Sequence, residues 1–154
     1  LTHQTIEEMI MNADLADANL TDAKNVPETN GSESIQSADR PPPKTPAQRA
    51  AEFRARNPDV PMVENLDSRI LEAITVGGGH LEMSKWHKCK TTHCRAGWAI
   101  TLAGEAGAAL EAKYGSHQAG RMIYRASTGR EPDFFDTNAN ALKDIKRCAA
   151  EAIL

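Results

Sequence analysis

Aromatic residues are scarce in this 154-residue chain: two Trp, two Tyr and three Phe. A β-sandwich core leans on such side chains, whereas a chain short of them and rich in alanine suits closely packed helices. Long apolar runs are missing too. No stretch approaches the roughly 20 apolar residues of a membrane span, so no membrane association is expected. Neither sign of charge dominates. A formal net charge of −3 is too small to draw a chain onto a polyanion, and nucleic acid is not an expected partner. Cysteine is sparse and odd in number, at three. That argues against a paired disulfide framework and fits a reducing compartment, so a cytoplasmic location is expected. Residues 1–10 carry Glu7 and Glu8 where a secretory signal has lysine and an apolar core. No phosphate-binding glycine loop, metalloprotease helix or nucleophile elbow occurs.

What is present divides by charge into three. Residues 1–39 hold eight carboxylates against Lys24 alone, residues 40–57 hold five basic residues against Glu52, and residues 58–154 are balanced. Within the acidic stretch, Ala13-Asp14-Leu15-Ala16-Asp17 and Ala18-Asn19-Leu20-Thr21-Asp22 repeat at a period of five. These units resemble the pentapeptide-repeat family, whose members stack such repeats as a square β-helix. The match covers about 15 residues, too few for a solo β-helix, since stacked repeats need several copies to bury a core. Residues 1–26 therefore read as an acidic arm with repeat-like units. Residues 27–46 contain Gly31, a Ser/Glu run, Pro41-Pro42-Pro43 and Pro46, and read as a flexible Pro/Ser-rich linker. Residues 47–154 read as one helical domain with its core from about residue 60.

Inside that domain, Ala47, Ala50, Ala51 and Phe53 predict a short helix ending before Pro58. Asn65 is placed to cap a helix through Ile74, with Leu66, Ile70 and Ile74 on one face and Gly77-Gly78-Gly79 ending it. His80 to Met83 should be briefly extended, and Trp86 to Lys90 irregular. Thr91 or Thr92 should cap the next helix, which carries Ala96, Ala99, Ile100 and Ala103; Gly97, Gly104 and Gly107 give it a very small face or a break near Gly104. Ser116 to Gly129 predicts a further helix with Ala119, Met122, Ile123 and Ala126 inward. Phe134 and Phe135 are expected to tuck under the following loop. Thr137 or Asn138 should cap a last helix facing inward through Leu142, Ile145, Cys148 or Ala149, and Ala152. The fold class expected is mainly α: a compact bundle of about five short helices with an irregular N-terminal arm.

Chemistry is dense only between Lys85 and Ala99. Trp86, Cys89, Thr91, Cys94, Ala96, Gly97, Trp98 and Ala99 resemble an uncharacterised family of bacterial and phage proteins. That family carries a Trp, a Cys-x-Thr-x-x-Cys unit and an Ala-Gly-Trp that opens a helix. The resemblance covers roughly residues 60–150 and implies a domain rather than an activity.

Four readings of the segment compete. Cys94 can be a small buried hydrophobe at the start of a helix, with Trp98 one turn on. Cys94, or Cys89, can be a reactive thiol, favoured in a first helical turn and by Lys88, Lys90 and Arg95, with His87, His93 or His80 as base. His87, Cys89, His93 and Cys94 can be zinc ligands, completed by His80 or His117, although the spacing departs from the usual two separated pairs. Cys89 and Cys94 can form a disulfide. Cys148 reads as core.

Lys88, Lys90, Arg95, Arg121 and Arg125 are candidate contacts for an anion or a partner; Glu105 and Glu111 are expected to face water. No cofactor is called for, zinc being the one candidate. The leading functional expectation is a non-enzymatic protein-interaction or regulatory module whose partner is another protein. A thiol-dependent enzyme or a small zinc-binding domain is the alternative.

Overall fold

The structure, a computed structural model, describes residues 40–154, so the acidic arm and its repeat-like units lie outside the described residues. Six helices and one small sheet make up the described part, which is mainly helical as expected. None of these helices is long and apolar enough to cross a membrane.

Helix α1 (Pro46–Arg56) opens with a reciprocal cap: the Thr45 hydroxyl accepts the Gln48 N–H and the Gln48 side chain accepts the Thr45 N–H. Pro46 suits the first turn, where no N–H partner is needed. Helix α2 (Leu66–Thr75) buries Leu66, Asp67 and Ile70. Asn65 precedes it in a left-handed conformation, φ 50°, and its side chain makes no capping bond. That corrects the expected Asn65 cap, because a side-chain cap needs an extended backbone at this position.

Three short strands follow: β1 (His80–Leu81), β2 (His87–Cys89) and β3 (Thr92–His93). They lie in the order β1-β3-β2, with β3 parallel to β1 and antiparallel to β2. The Trp86–Lys90 stretch is therefore not irregular; its middle is the outer strand of a hairpin turned at Lys90-Thr91.

Helix α3 (Arg95–Leu102) ends at Gly104, whose φ of +66° breaks the chain direction before α4 (Gly104–Tyr114). The break at Gly104 is one reason for six helices rather than five. Helix α5 (Ser116–Thr128) is closed by Gly129 at φ +67°. A side chain at Gly129 would also strike the Pro46 carbonyl, so this glycine lets α1 dock. Helix α6 (Asn138–Glu151) is capped by the Thr137 hydroxyl on the Asn140 N–H.

Helix α5 packs against α1, α3 and α4, while α2 packs on α6. A Cβ at Gly120 would sit 2.5 Å from the Ala96 Cβ, which shows how closely α5 meets α3. The core between these layers includes Leu66, Ile70, Trp98, Ile123, Tyr124, Phe134 and Ile145. Each such side chain contributes about 1.5–3 kcal/mol on burial. The inward face of α6 is Ala141, Ile145, Cys148 and Ala149. Leu142 is only half-buried and Ala152 is exposed. The stripe thus starts one residue earlier than expected, at i, i+4, i+7 and i+8.

Candidate functional site

Cys94 is itself the cap of α3. Its backbone is extended, φ −72° and ψ 176°, and its Sγ accepts the Gly97 N–H at 3.3 Å. Thr91 and Thr92 do not cap the helix, because Thr92 is held in β3. Cys94 is fully buried at 0% exposure, and burial pushes its thiol upward in pKa despite the N–H groups of Gly97 and Ala96. It is packed as core, which corrects the reading of Cys94 as a first-turn nucleophile.

The two histidines of the hairpin face each other. His87 Nδ1 lies 2.8 Å from His93 Nδ1, His87 Nε2 lies 3.0 Å from Glu111 Oε1, and His93 Nε2 lies 3.0 Å from the Lys90 carbonyl. A carbonyl only accepts, so His93 Nε2 carries a proton. A neutral His93 then offers a bare Nδ1, to which His87 Nδ1 donates. Glu111, as a carboxylate, also accepts, so the complete chain has His87 donating from both nitrogens. Burial lowers the pKa of His93, and the facing His87 charge adds to this, while Lys90 and Glu111 oppose it. Ser116 donates to the same Glu111 oxygen at 2.5 Å. Glu111 therefore does not simply face water; it ties α4 and α5 to the hairpin.

This chain uses both nitrogens of His87, leaving none for Cys94. The expected zinc set also stays apart: His87 and His93 bond each other, Cys94 caps α3 and Cys89 turns to Thr91. Among the described residues no group of three or more His, Cys, Asp or Glu is arranged to hold a metal ion. Cys89, Cys94 and Cys148 are all free thiols, so no Cys89–Cys94 disulfide is formed.

Cys89 is the accessible thiol. It is exposed, with Sγ 3.5 Å from Thr91 Oγ1. Hydrogen bonding from Thr92 and Thr91 lowers its pKa to about 7. Lys88 and Lys90 beside it are exposed.

Arg95 is not part of that basic surface. At 2% exposure it is among the largest fully buried side chains. Its Nε donates to Tyr124 Oη at 2.8 Å, its Nη1 to Asp144 at 2.6 Å and its Nη2 to Asp67 at 2.8 Å. Tyr124 Oη donates to the same Asp67 oxygen at 2.8 Å. All members of the cluster are thereby satisfied, as a buried charge requires. Arg121 makes a close ion contact with Glu131 without hydrogen-bond geometry, and Arg125 lies over the Phe53 ring at 4.8 Å. The five candidate cations are thus dispersed over the hairpin, the core and α5.

An aromatic groove beside the hairpin went unread in the sequence. Phe134 is buried at 3% exposure, but its neighbour Phe135 is 73% exposed, which corrects the expectation that both tuck inward. The outward turn is held by Asp133, whose carboxylate accepts the Phe135 N–H at 2.8 Å. Phe135 stands edge to face with Trp86, ring centres 5.9 Å apart at 82°, and 5.2 Å from the His117 ring. Next to these rings is a groove of about 660 Å³ lined by Met83, Trp86, Phe134, Phe135 and Ala139, with Glu82 and Asp136 among its polar lining.

No protein-family model matches this chain, and no curated protein or solved structure is similar to it.

The groove and the histidine chain share one support. Trp86 precedes β2, and the Cys94 N–H donates to the Lys85 carbonyl at 3.0 Å and, at 3.4 Å, to the Trp86 carbonyl. The Met83 N–H donates to Asn138 at the start of α6 at 2.7 Å. The Cys-His segment is therefore the scaffold that presents Met83 and Trp86.

Proposed function

We propose that the chain is a non-enzymatic protein-interaction module that receives a segment of another polypeptide on the groove of Met83, Trp86, Phe134 and Phe135. The observation that carries this is the outward ring of Phe135, held beside an open groove by the Asp133 turn. Large aromatic side chains beside a concave surface are typical binding anchors. On this reading the segment resembling the bacterial and phage family builds the support, and its two tryptophans divide the work. Trp98 packs in the core with its indole N–H on the His80 carbonyl, and Trp86 serves the surface.

The test is selection of displayed random peptides on the full chain, with binding re-measured on Phe135→Ala. Peptides that lose binding on this variant support the reading. Selected peptides that bind both proteins equally, or no enriched peptide at all, contradict it.

A second reading, thiol chemistry, rests on the exposed Cys89 with its pKa of about 7. It predicts a turnover abolished by Cys89→Ser, and an activity indifferent to that change removes it.

A further inference from the structure

Building on the interaction reading above, we infer that the segment received by the groove is cationic: it presents a Lys or Arg side chain to the rings of Trp86 and Phe135 and to the carboxylate of Asp136. Two observations combine. The groove is lined by two carboxylates, Glu82 and Asp136, and by no Lys or Arg. Its aromatic wall is open to solvent at Phe135.

A purely apolar ligand would leave the Asp136 charge facing it without a counter-charge, which is unfavourable when water is displaced. A neutral polar ligand would leave the aromatic wall underused. A long cationic side chain satisfies both. Its methylene stem lies against Met83, Phe134 and Ala139, and its charged end meets an aromatic face and a carboxylate. An acidic segment is disfavoured by like charge.

The two carboxylates are not equivalent. Glu82 Oε1 is occupied by the Ser84 N–H and hydroxyl, and the charge of Lys88 also acts on Glu82. Asp136 uses only Oδ1, which accepts the Thr137 N–H and the Asn140 amide. Its Oδ2 makes no hydrogen bond among the described residues. Asp136 therefore carries most of the charge recognition. Asp136→Asn removes the charge while its remaining oxygen can keep both loop bonds, so the fold is spared.

The experiment extends the peptide selection on the full chain. Lys or Arg should be enriched at one position next to an apolar residue. Changing that residue to Gln in the peptide should weaken binding about tenfold, and Asp136→Asn in the protein should remove most of that difference. Glu82→Gln should have the smaller effect. Peptides that depend on Phe135 yet show no basic preference, or whose preference survives Asp136→Asn, overturn the charge inference and leave the groove reading standing. Peptides indifferent to Phe135→Ala overturn both. Should Asp136→Asn unfold more readily than the parent protein, the Arg→Gln change in the peptide, measured on the unaltered chain, still decides.

Discussion

His87 and His93 meet through their Nδ1 atoms, 2.8 Å apart, and only one proton can lie between them. The outer ends of the pair are fixed by Glu111 and by the Lys90 carbonyl. Helix α4 is thereby latched to a hairpin that would otherwise rest on very short strands.

His93 gives a pH prediction with a definite sign. Burial depresses the folded-state pKa of His93, so the unfolded chain takes up its proton first as pH falls. Stability is then fully present above the unfolded value of about 6.5 and declines as pH falls below it toward the folded value. Urea unfolding at pH 7 and pH 5 should show the loss. In ¹⁵N spectra at pH 7, His93 should be the Nε2-protonated tautomer; the opposite tautomer would contradict the hydrogen-bond chain.

The buried Arg95 cluster predicts a large penalty for removing one member alone. Arg95→Met leaves Asp67 uncompensated and should cost about 3–5 kcal/mol. Adding Asp67→Asn to Arg95→Met should recover part of it, so the double variant falls short of the sum of the singles. Chemical unfolding of the three proteins checks this.

Two glycines should respond differently. A Cβ on Gly97 would collide with the Trp86 carbonyl, a backbone atom that cannot yield without moving the hairpin. Gly104 has no neighbour in that position but holds a positive φ. Gly97→Ala should destabilise by about 1–3 kcal/mol or more through overpacking and weaken groove binding as well. Gly104→Ala should cost about 1 kcal/mol and leave binding intact. Thermal unfolding paired with peptide binding separates the two effects.

Part of the local signal in the sequence was legible. Gly129 closes α5, and Thr137, one of two candidates, caps α6; the caps expected at Asn65 and at Thr91 or Thr92 are not formed. Contacts between distant residues were not legible. His87 meets Glu111 across 24 positions, and Arg95 reaches Asp67, Tyr124 and Asp144 across 28, 29 and 49. Nothing in a local pattern says that an arginine in Cys-Arg-Ala-Gly-Trp turns inward, so Arg95 read as surface charge. Adjacent Phe134 and Phe135 read alike for the same reason. Only the Asp133 turn separates an inward ring from an outward one. Cys94 is an intermediate case: its burial was among the readings, but its capping of α3 depends on β3 holding Thr92 in the sheet.

The three thiols should separate by rate. Cys89 is exposed, whereas Cys94 and Cys148 are buried, and burial pushes the pKa of both upward. Alkylation of the folded protein should label Cys89 first, with a midpoint near pH 7. The other two should react only on unfolding. Thr92→Val should raise the Cys89 midpoint, because Thr92 makes the largest contribution to lowering it. Mass spectrometry of partly labelled protein reads all of this directly.

Whether the groove beside Phe135 receives a polypeptide segment is open to direct measurement. The most direct measurement is an NMR chemical-shift map of the full chain titrated with a selected peptide. The largest changes should fall on the Trp86 indole N–H and the amides of residues 134–139, and should vanish in Phe135→Ala. Changes centred instead on the exposed Tyr114 and the neighbouring Met122, or changes that persist without the Phe135 ring, would contradict binding at the groove.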